Sequence, residues 1–290
     1  MNFELSEEQR MIQQSVERFV EDNYDLNSRV ALSSNSPGFS TENWHSMAEL
    51  GWLGLPFEEE DGGFGGNQID VLVVMEQFGR GLVLEPYLAS IIMGGGALKR
   101  GGTDALKSEI LPQVIEGTLQ LAFAYAEEQS RFDLDDVMTS ARKEGENFIL
   151  NGQKSMVQNA ETADKIVISA RTSSGQVGPQ GITLFLIDAD AEGLSRDNFP
   201  TVDGLRASEI TLENVSVGPD RILGEVDQGF SILQAVANDA MLALSAEAVG
   251  AMEVLYKDTV DYTQQREQFD HPLSEFQVLQ HRMVDMFMEY

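Results

Sequence analysis

Residues 148–157 read FILNGQKSMV, and their interpretation decides what the middle of the chain is. Apolar residues flank Asn151-Gly152, a pair that readily takes the left-handed positions of a two-residue turn. The stretch therefore predicts a β-hairpin hinged at Asn151 and Gly152. Three further runs, KIVISA (165–170), GITLFLID (181–188) and EITLENVSV (209–217), are rich in branched residues and separated by Pro and Gly. Such runs suit a pleated, half-buried surface. They predict a small antiparallel β domain over residues 119–220.

On either side the period changes to that of a helix. LSEEQ (5–9) carries a capping box, with Ser6 as cap and Gln9 reaching back, and Ile12, Val16, Phe19 and Val20 form a core stripe behind it. STENWHSMAELGWLGL (40–55) offers a start at Ser40 or Thr41 and a stop near Gly51. VLVVMEQFGRG (71–81) and LKSEILPQVIEG (106–117) read as further helices, the second closed by Gly117. Ahead of these two, PFEEEDGGFGGN (56–67) is glycine-rich, but it lacks a GK[ST] ending and three consecutive glutamates repel an anion, so it reads as a structural turn. From about residue 228 one long apolar helix is expected, interrupted only at Gly250. It is followed by FQVLQHRMVDMFMEY (276–290), where Leu273, Phe276, Leu279, Met283, Phe287 and Tyr290 line one face. That stripe expects a partner. The chain thus divides into residues 1–118, helical; 119–220, β; and 221–290, an incomplete helical bundle, since a bundle core takes about four helices. The fold class is α+β, multidomain.

Composition narrows the function. The 290 residues contain 48 acids and 19 Lys or Arg, a net charge of −29, which opposes a broad nucleic-acid surface. Solubility or salt adaptation accounts for that acidity, and a few converging cations could still bind a phosphate. There is no cysteine, which excludes disulfides, thiolate metal sites and a cysteine nucleophile; His45, His271 and His281 form no metal-ligand motif. No secretory signal is visible at the N-terminus. The apolar stretch 232–256 carries Asn238, Asp239, Glu247 and Glu253, which argues against a membrane span. A cytoplasmic protein is expected.

Four segments, in order, resemble the acyl-CoA dehydrogenase family. NFILNGQKSMVQNAETADKIVISART is similar to its β-domain segment. GLRASEITLENVSVGPDRILGEVDQGF resembles the next stretch, through Arg206, Ser208, Val215, Val217, Leu223, Gly224, Gly229 and Phe230. QQREQFDHPLSEFQVLQHRMVDM resembles its R-x-x-F-G-x-x-(I/L) segment through Arg266, Phe269, Leu273 and Gln277, and ELGWLGLPFEEEDGGFGG resembles its N-terminal glycine region. The resemblance spans the chain and is strongest to the small-subunit type named for pimeloyl-CoA dehydrogenase. It implies FAD as cofactor, an acyl-CoA substrate desaturated at its α,β bond in fatty-acid β-oxidation, electron-transfer flavoprotein as acceptor, and a homo- or hetero-oligomer with a related dehydrogenase subunit. It also implies two further C-terminal helices, so the chain is expected to be truncated and inactive as a fragment.

Carried over by position, the resemblance places Phe123, Tyr125, Ala126, Met156 and Gln158 at the flavin. Ala126 stands at a usual Thr, Met156 at an aromatic, and Gln158 at a Ser or Thr. Arg266, with Phe269 and Gln277, matches the segment whose arginine reaches the FAD pyrophosphate of a neighbouring subunit. Phe132, at a usual Ser, and Met241, at a usual Arg, are the substrate positions. Ala240 stands where some members carry the catalytic glutamate, and Asp239 beside it is turned about 100° away on a helix. Most members carry that glutamate in a late C-terminal segment that these residues do not include, so no general base is assigned. These substitutions keep open an alternative, a non-catalytic or flavin-poor subunit of a heteromeric dehydrogenase, and a weaker one, a flavin oxidase or hydroxylase. Without the resemblance, Phe123, Tyr125 and Met156 read as plain core, Arg266 as a surface ion-pair partner and Gln158 as an ordinary polar strand residue.

Overall fold

The computed structural model describes residues 4–173 and 175–290. Residues 1–3, part of the stretch read for a signal, lie outside them. The described chain forms two compact units. One comprises Met1–Ser28, Gln68–Val83 and Leu242–Tyr290; the other comprises Arg29–Asn67 and Leu84–Met241.

The capping box starts helix α1 (Glu7–Asn23) as expected: the Gln9 amide donates to Ser6 Oγ at 3.1 Å and the Ser6 amide to Gln9 Oε1 at 3.0 Å. After α2 (Leu26–Ser33), Ser40 caps α3 (Thr41–Glu49), which stops before Gly51 at φ 82°. The glycine-rich segment makes a single turn, Glu59–Asp61, and leads into α4 (Gln68–Gly81). Next comes a π-helix, Tyr87–Gly95, buried at every residue except the half-buried Leu88. Its run YLASIIMGG is apolar all round and so shows no stripe to read. Helices α5 (Gly96–Gly101) and α6 (Asp104–Ile115) follow, the latter ending before Gly117 at φ 71°.

Within the first unit, α1 packs on α4 through Val16 and Val20, with Gln9 donating to Asp70 at 2.9 Å. The helix after residue 228 corrects one expectation. Helix α7 (Phe230–Gln265) runs through Gly250 without interruption. The glycine serves packing: a Cβ there would sit 1.8 Å from the Glu76 carbonyl oxygen on α4, and one at Gly79 would sit 1.9 Å from the Glu247 carbonyl oxygen on α7. The two backbones cross where neither side has a side chain. By length and composition α7 could cross a membrane, but this stretch packs against α4 and its Glu253 pairs with Arg80 at 3.5 Å. The stripe on the last helix is partly covered within the chain, because Tyr256 packs on Phe287 and Tyr290 at centroid distances of 5.7 and 5.2 Å.

In the second unit lies an eight-stranded sheet. Its strands are β1 (Leu121–Ala124), β2 (Ser140–Glu144), β3 (Asn147–Gln158), β4 (Lys165–Arg171), β5 (Ile182–Asp188), β6 (Leu194–Pro200), β7 (Arg206–Val217) and β8 (Ile222–Leu223). Their order is β6-β7-β3-β2-β4-β5-β8, with β1 beside β4. Pairing is antiparallel except between β1 and β4 and at one β2–β4 position, Ser140 opposite Arg171. Ile166, Ile168, Phe185, Ile187, Ile210, Leu212 and Val215 fill the core.

The Asn151-Gly152 hairpin is not formed. Strand β3 continues through it, and the two-residue turn lies earlier, at Gly145-Glu146, where Gly145 has φ 65°. Asn151-Gly152 instead makes a β-bulge against β7, where the register slips between Leu150 and Gly152. A Cβ on Gly152 would stand 2.6 Å from the Thr139 Cα. The Asn151 side chain accepts from the Asn214 amide at 2.9 Å. The turn dipeptide was overridden because β3 is central, paired to β2 on one side and β7 on the other, and both ladders would be lost in a hairpin there.

Candidate functional site

Strand β1 ends at Ala124, and the chain continues through Tyr125 and Ala126 alongside β3. The Ser155 amide donates to the Ala126 carbonyl at 2.9 Å, and Lys154 Nζ donates to the Tyr125 carbonyl at 3.4 Å. Phe123, Tyr125, Ala126, Met156 and Gln158 are thereby brought to one end of the sheet. Phe123 is core, its ring 5.7 Å from that of Tyr125. Tyr125 is half-buried, and burial pushes its phenol up from the ordinary value.

Met156 is the anomaly. Between Lys154, opposite Ile210, and Val157, opposite Ser208, β3 holds one residue more than β7 does. This second bulge puts Met156 at φ 54°, a left-handed conformation that costs a residue with a side chain about 1–2 kcal/mol. The Met156 side chain is 55% exposed, so the reading of it as core is wrong. Glu209 fastens the bulge, accepting from Ser155 Oγ at 2.7 Å and from the Met156 amide at 3.3 Å. Two positions on, Gln158 pairs through its backbone with Ala207, while its half-buried side-chain amide has no hydrogen-bond partner among the described residues. A strained, exposed residue thus stands next to an unused amide at this end of the sheet.

Behind this wall lies a buried ion pair. Lys154, 0% exposed, donates to Glu127 Oε1 at 2.7 Å and to Ser169 Oγ at 2.9 Å. Glu127 also accepts from the Met138 amide at 2.7 Å, the Thr139 amide at 3.1 Å and Gln129 Nε2 at 2.9 Å. Burial pushes the Lys154 ammonium down to about 8, opposed by the Glu127 charge. For Glu127, burial works against the charged form, and Lys154 with the surrounding donors overcomes it and holds the carboxyl below its ordinary value. The sequence contained one sign of this. Phe148, Leu150, Gly152 and Lys154 alternate onto one face, so a lysine falls in line with core residues. Glu127 and Glu209 had no such sign.

The remaining predicted residues are placed differently. Phe132 is 97% exposed, on the loop after Arg131 at φ 50°. Met241 is exposed, Ala240 is buried, and the Asp239 carboxylate is engaged by the Arg100 guanidinium. In the helical unit, Arg266 precedes a small hairpin of strands β9 (Glu267–Gln268) and β10 (His271–Pro272), ahead of helix α8 (Gln277–Glu289). Its turn residues, Phe269 and Asp270, have φ 57° and 60°. Phe269 is 86% exposed, with its ring 6.4 Å from that of Phe276. Gln277 is exposed at the start of α8. The exposed Arg266 guanidinium has no ion-pair or hydrogen-bond partner among the described residues, which corrects its reading as a surface ion-pair partner. No group of metal-ligating side chains occurs among the described residues.

The chain matches three family models in order: "Acyl-CoA dehydrogenase, N-terminal domain" over residues 6–118, "Acyl-CoA dehydrogenase, middle domain" over 122–215, and "Acyl-CoA dehydrogenase, C-terminal domain" over 227–290. It is 30% identical over 294 residues to the probable acyl-CoA dehydrogenase YngJ of Bacillus subtilis (strain 168), covering 100% of this chain and 77% of that protein. It is 34% identical over 254 residues to the 3-(aryl)acrylate reductase of Clostridium sporogenes (strain ATCC 15579), covering 86% of this chain and 67% of that one. Among solved structures, PigA with FAD and proline superposes with a TM-score of 0.91 at 28% identity, over 99% of this chain and 76% of that one.

Proposed function

The chain belongs to the acyl-CoA dehydrogenase family, and from that premise we propose that it is an FAD-dependent oxidoreductase acting on the α,β bond of an acyl-CoA thioester, passing electrons to electron-transfer flavoprotein. The observation that carries this reading is the wall at the end of β1 and β3. An isoalloxazine ring is flat, apolar on its faces and edged with hydrogen-bond acceptors. The exposed Met156 thioether and the half-buried Tyr125 ring suit its face, and the unused Gln158 amide suits its edge. FAD, when bound, supplies the hydride acceptor.

The protein's own part is to bind, orient and keep water out. Met156 and Tyr125 would cover the ring, Gln158 would donate to its edge, and Ala126 leaves room where a hydroxyl is absent. The fork of Arg266 suits the pyrophosphate of an FAD held by a neighbouring subunit. The α-proton needs a base. Position 240 holds a buried alanine, and Asp239 is engaged by Arg100. The substitutions at Ala126, Gln158, Ala240 and Met241 keep a second reading open, in which this chain is the flavin-poor or non-catalytic member of a pair whose partner carries the base. Under either reading the protein is oligomeric and cytoplasmic, and divides functionally at residues 118 and 220.

Anaerobic titration of the FAD-loaded protein with a panel of acyl-CoA thioesters tests this. Bleaching of the flavin band by the chain alone supports the first reading. Bleaching only after a co-purifying dehydrogenase subunit is added supports the second. No bleaching in either case contradicts both.

A further inference from the structure

The wall is not held by the sheet ladder where it matters most. Opposite Glu209 the register of β3 and β7 breaks, so Ser155 and Met156 lack the regular pairing that locates other strand residues. Something else must define their position. Glu209 ties the bulge down on its exposed side. On the buried side, the residue just before the bulge is Lys154.

We propose that Glu127 and Lys154 act as a positioning pair, which sets the Tyr125–Ala126 strand end against the Ser155–Met156 bulge and so fixes the flavin-facing wall. The inference rests on the reading of that wall as the FAD site.

The connections are specific. The Lys154 ammonium joins two segments to β3: the stretch after β1, through the Tyr125 carbonyl and the Glu127 carboxylate, and β4, through Ser169. The Glu127 carboxylate gathers the returning loop through the Met138 and Thr139 amides, and Thr139 Oγ1 donates in turn to the Gln153 carbonyl on β3. The pair is thus the node of a closed network around the bulge. Stability alone does not explain it. Removing two charges from water is costly, and apolar side chains of similar volume commonly stabilise as well or better. What apolar replacements lack is direction. An ammonium and a carboxylate with fixed hydrogen-bond geometries admit one arrangement of the segments they join, whereas packed methylenes admit several.

The double variant K154M/E127Q separates the two roles, because it removes both charges together. The probes are thermal melting, the 13C-methyl resonance of Met156 assigned with M156L, hydrogen exchange at the Ser155 amide, and equilibrium binding of FAD. The expected result is a cooperative melt near that of the parent, with a shifted or broadened Met156 methyl. Exchange at Ser155 should rise, and FAD affinity should fall, by about tenfold or more, the change that about 1.4 kcal/mol of lost positioning produces. A folded double variant with parent-like Met156, Ser155 and FAD signals overturns the proposal. If the double variant does not fold, E127Q decides by the same probes, since it keeps an acceptor for the Met138 and Thr139 amides and leaves a lysine able to shed its proton. If the parent binds no FAD, the flavin reading fails, and the methyl and exchange signals of the unliganded protein still decide whether the pair positions the bulge.

Discussion

Gly250 on α7 and Met156 on β3 each break the local rule of the element that holds them. Glycine weakens a helix interior, and a left-handed methionine strains a strand. Their surroundings differ. Gly250 lies under a neighbouring backbone, with the Glu76 carbonyl where its Cβ would be. Met156 faces outward and is held in its strain by Glu209 on one side and by the network around Lys154 on the other. An exception at a buried crossing is accounted for by packing; one that is exposed and braced is not, and in the function proposed above it serves a ligand. The difference also assigns each its measurement: stability for the first, ligand affinity for the second.

The largest expected effect is at the brace. K154M alone leaves the Glu127 carboxylate buried without its ammonium, and should cost about 3–5 kcal/mol in urea unfolding, whereas K154M/E127Q should recover most of it. Equal losses in the two variants would mean that packing, not charge, holds this region.

Glu85 gives a pH counterpart. Burial raises its carboxyl from 4.5 to about 7, against the pull of its backbone hydrogen bonds, Ser40 among them. Between those values the folded chain keeps a proton that the unfolded chain has lost, so stability should fall as pH rises through that window. On this basis E85Q should flatten the pH dependence between pH 5 and 8 and gain roughly 2–3 kcal/mol at the upper end. A parent-like slope in E85Q would place the titration elsewhere.

Next is the buried exception itself. Propensity alone makes G250A more stable by up to about 1 kcal/mol, but overpacking of this kind costs about 1–3 kcal/mol, so a net loss is expected. A raised melting temperature would show that α7 and α4 can part at no cost. The smallest effect is S6A, which removes an exposed cap and should cost about 1 kcal/mol.

What could be read from sequence follows the same division. Ser6 with Gln9, the cap at Ser40, and the branched runs of β4, β5 and β7 rest on contacts a few residues apart or on simple alternation, and they formed as expected. Asn151-Gly152 misled because its turn preference is local, whereas the two ladders that overrule it come from β2 and β7. The π-helix offered no amphipathic period. The extra residue at Met156 is visible only once β3 is counted against β7, so neither the strain of this bulge nor its brace could be read from the sequence. Phe132 rests on resemblance alone: its position suggests the substrate, while its exposed side chain carries no signal of its own.

The most direct test of the central claim is equilibrium binding of FAD to the purified chain and to its M156D variant. A buried-faced ring and an introduced carboxylate cannot share this wall. Saturable one-to-one binding by the parent, weakened by at least about tenfold in M156D while the melting temperature is unchanged, is the predicted result. Saturable binding that M156D leaves intact would contradict the placement of the flavin on the Tyr125–Met156 wall.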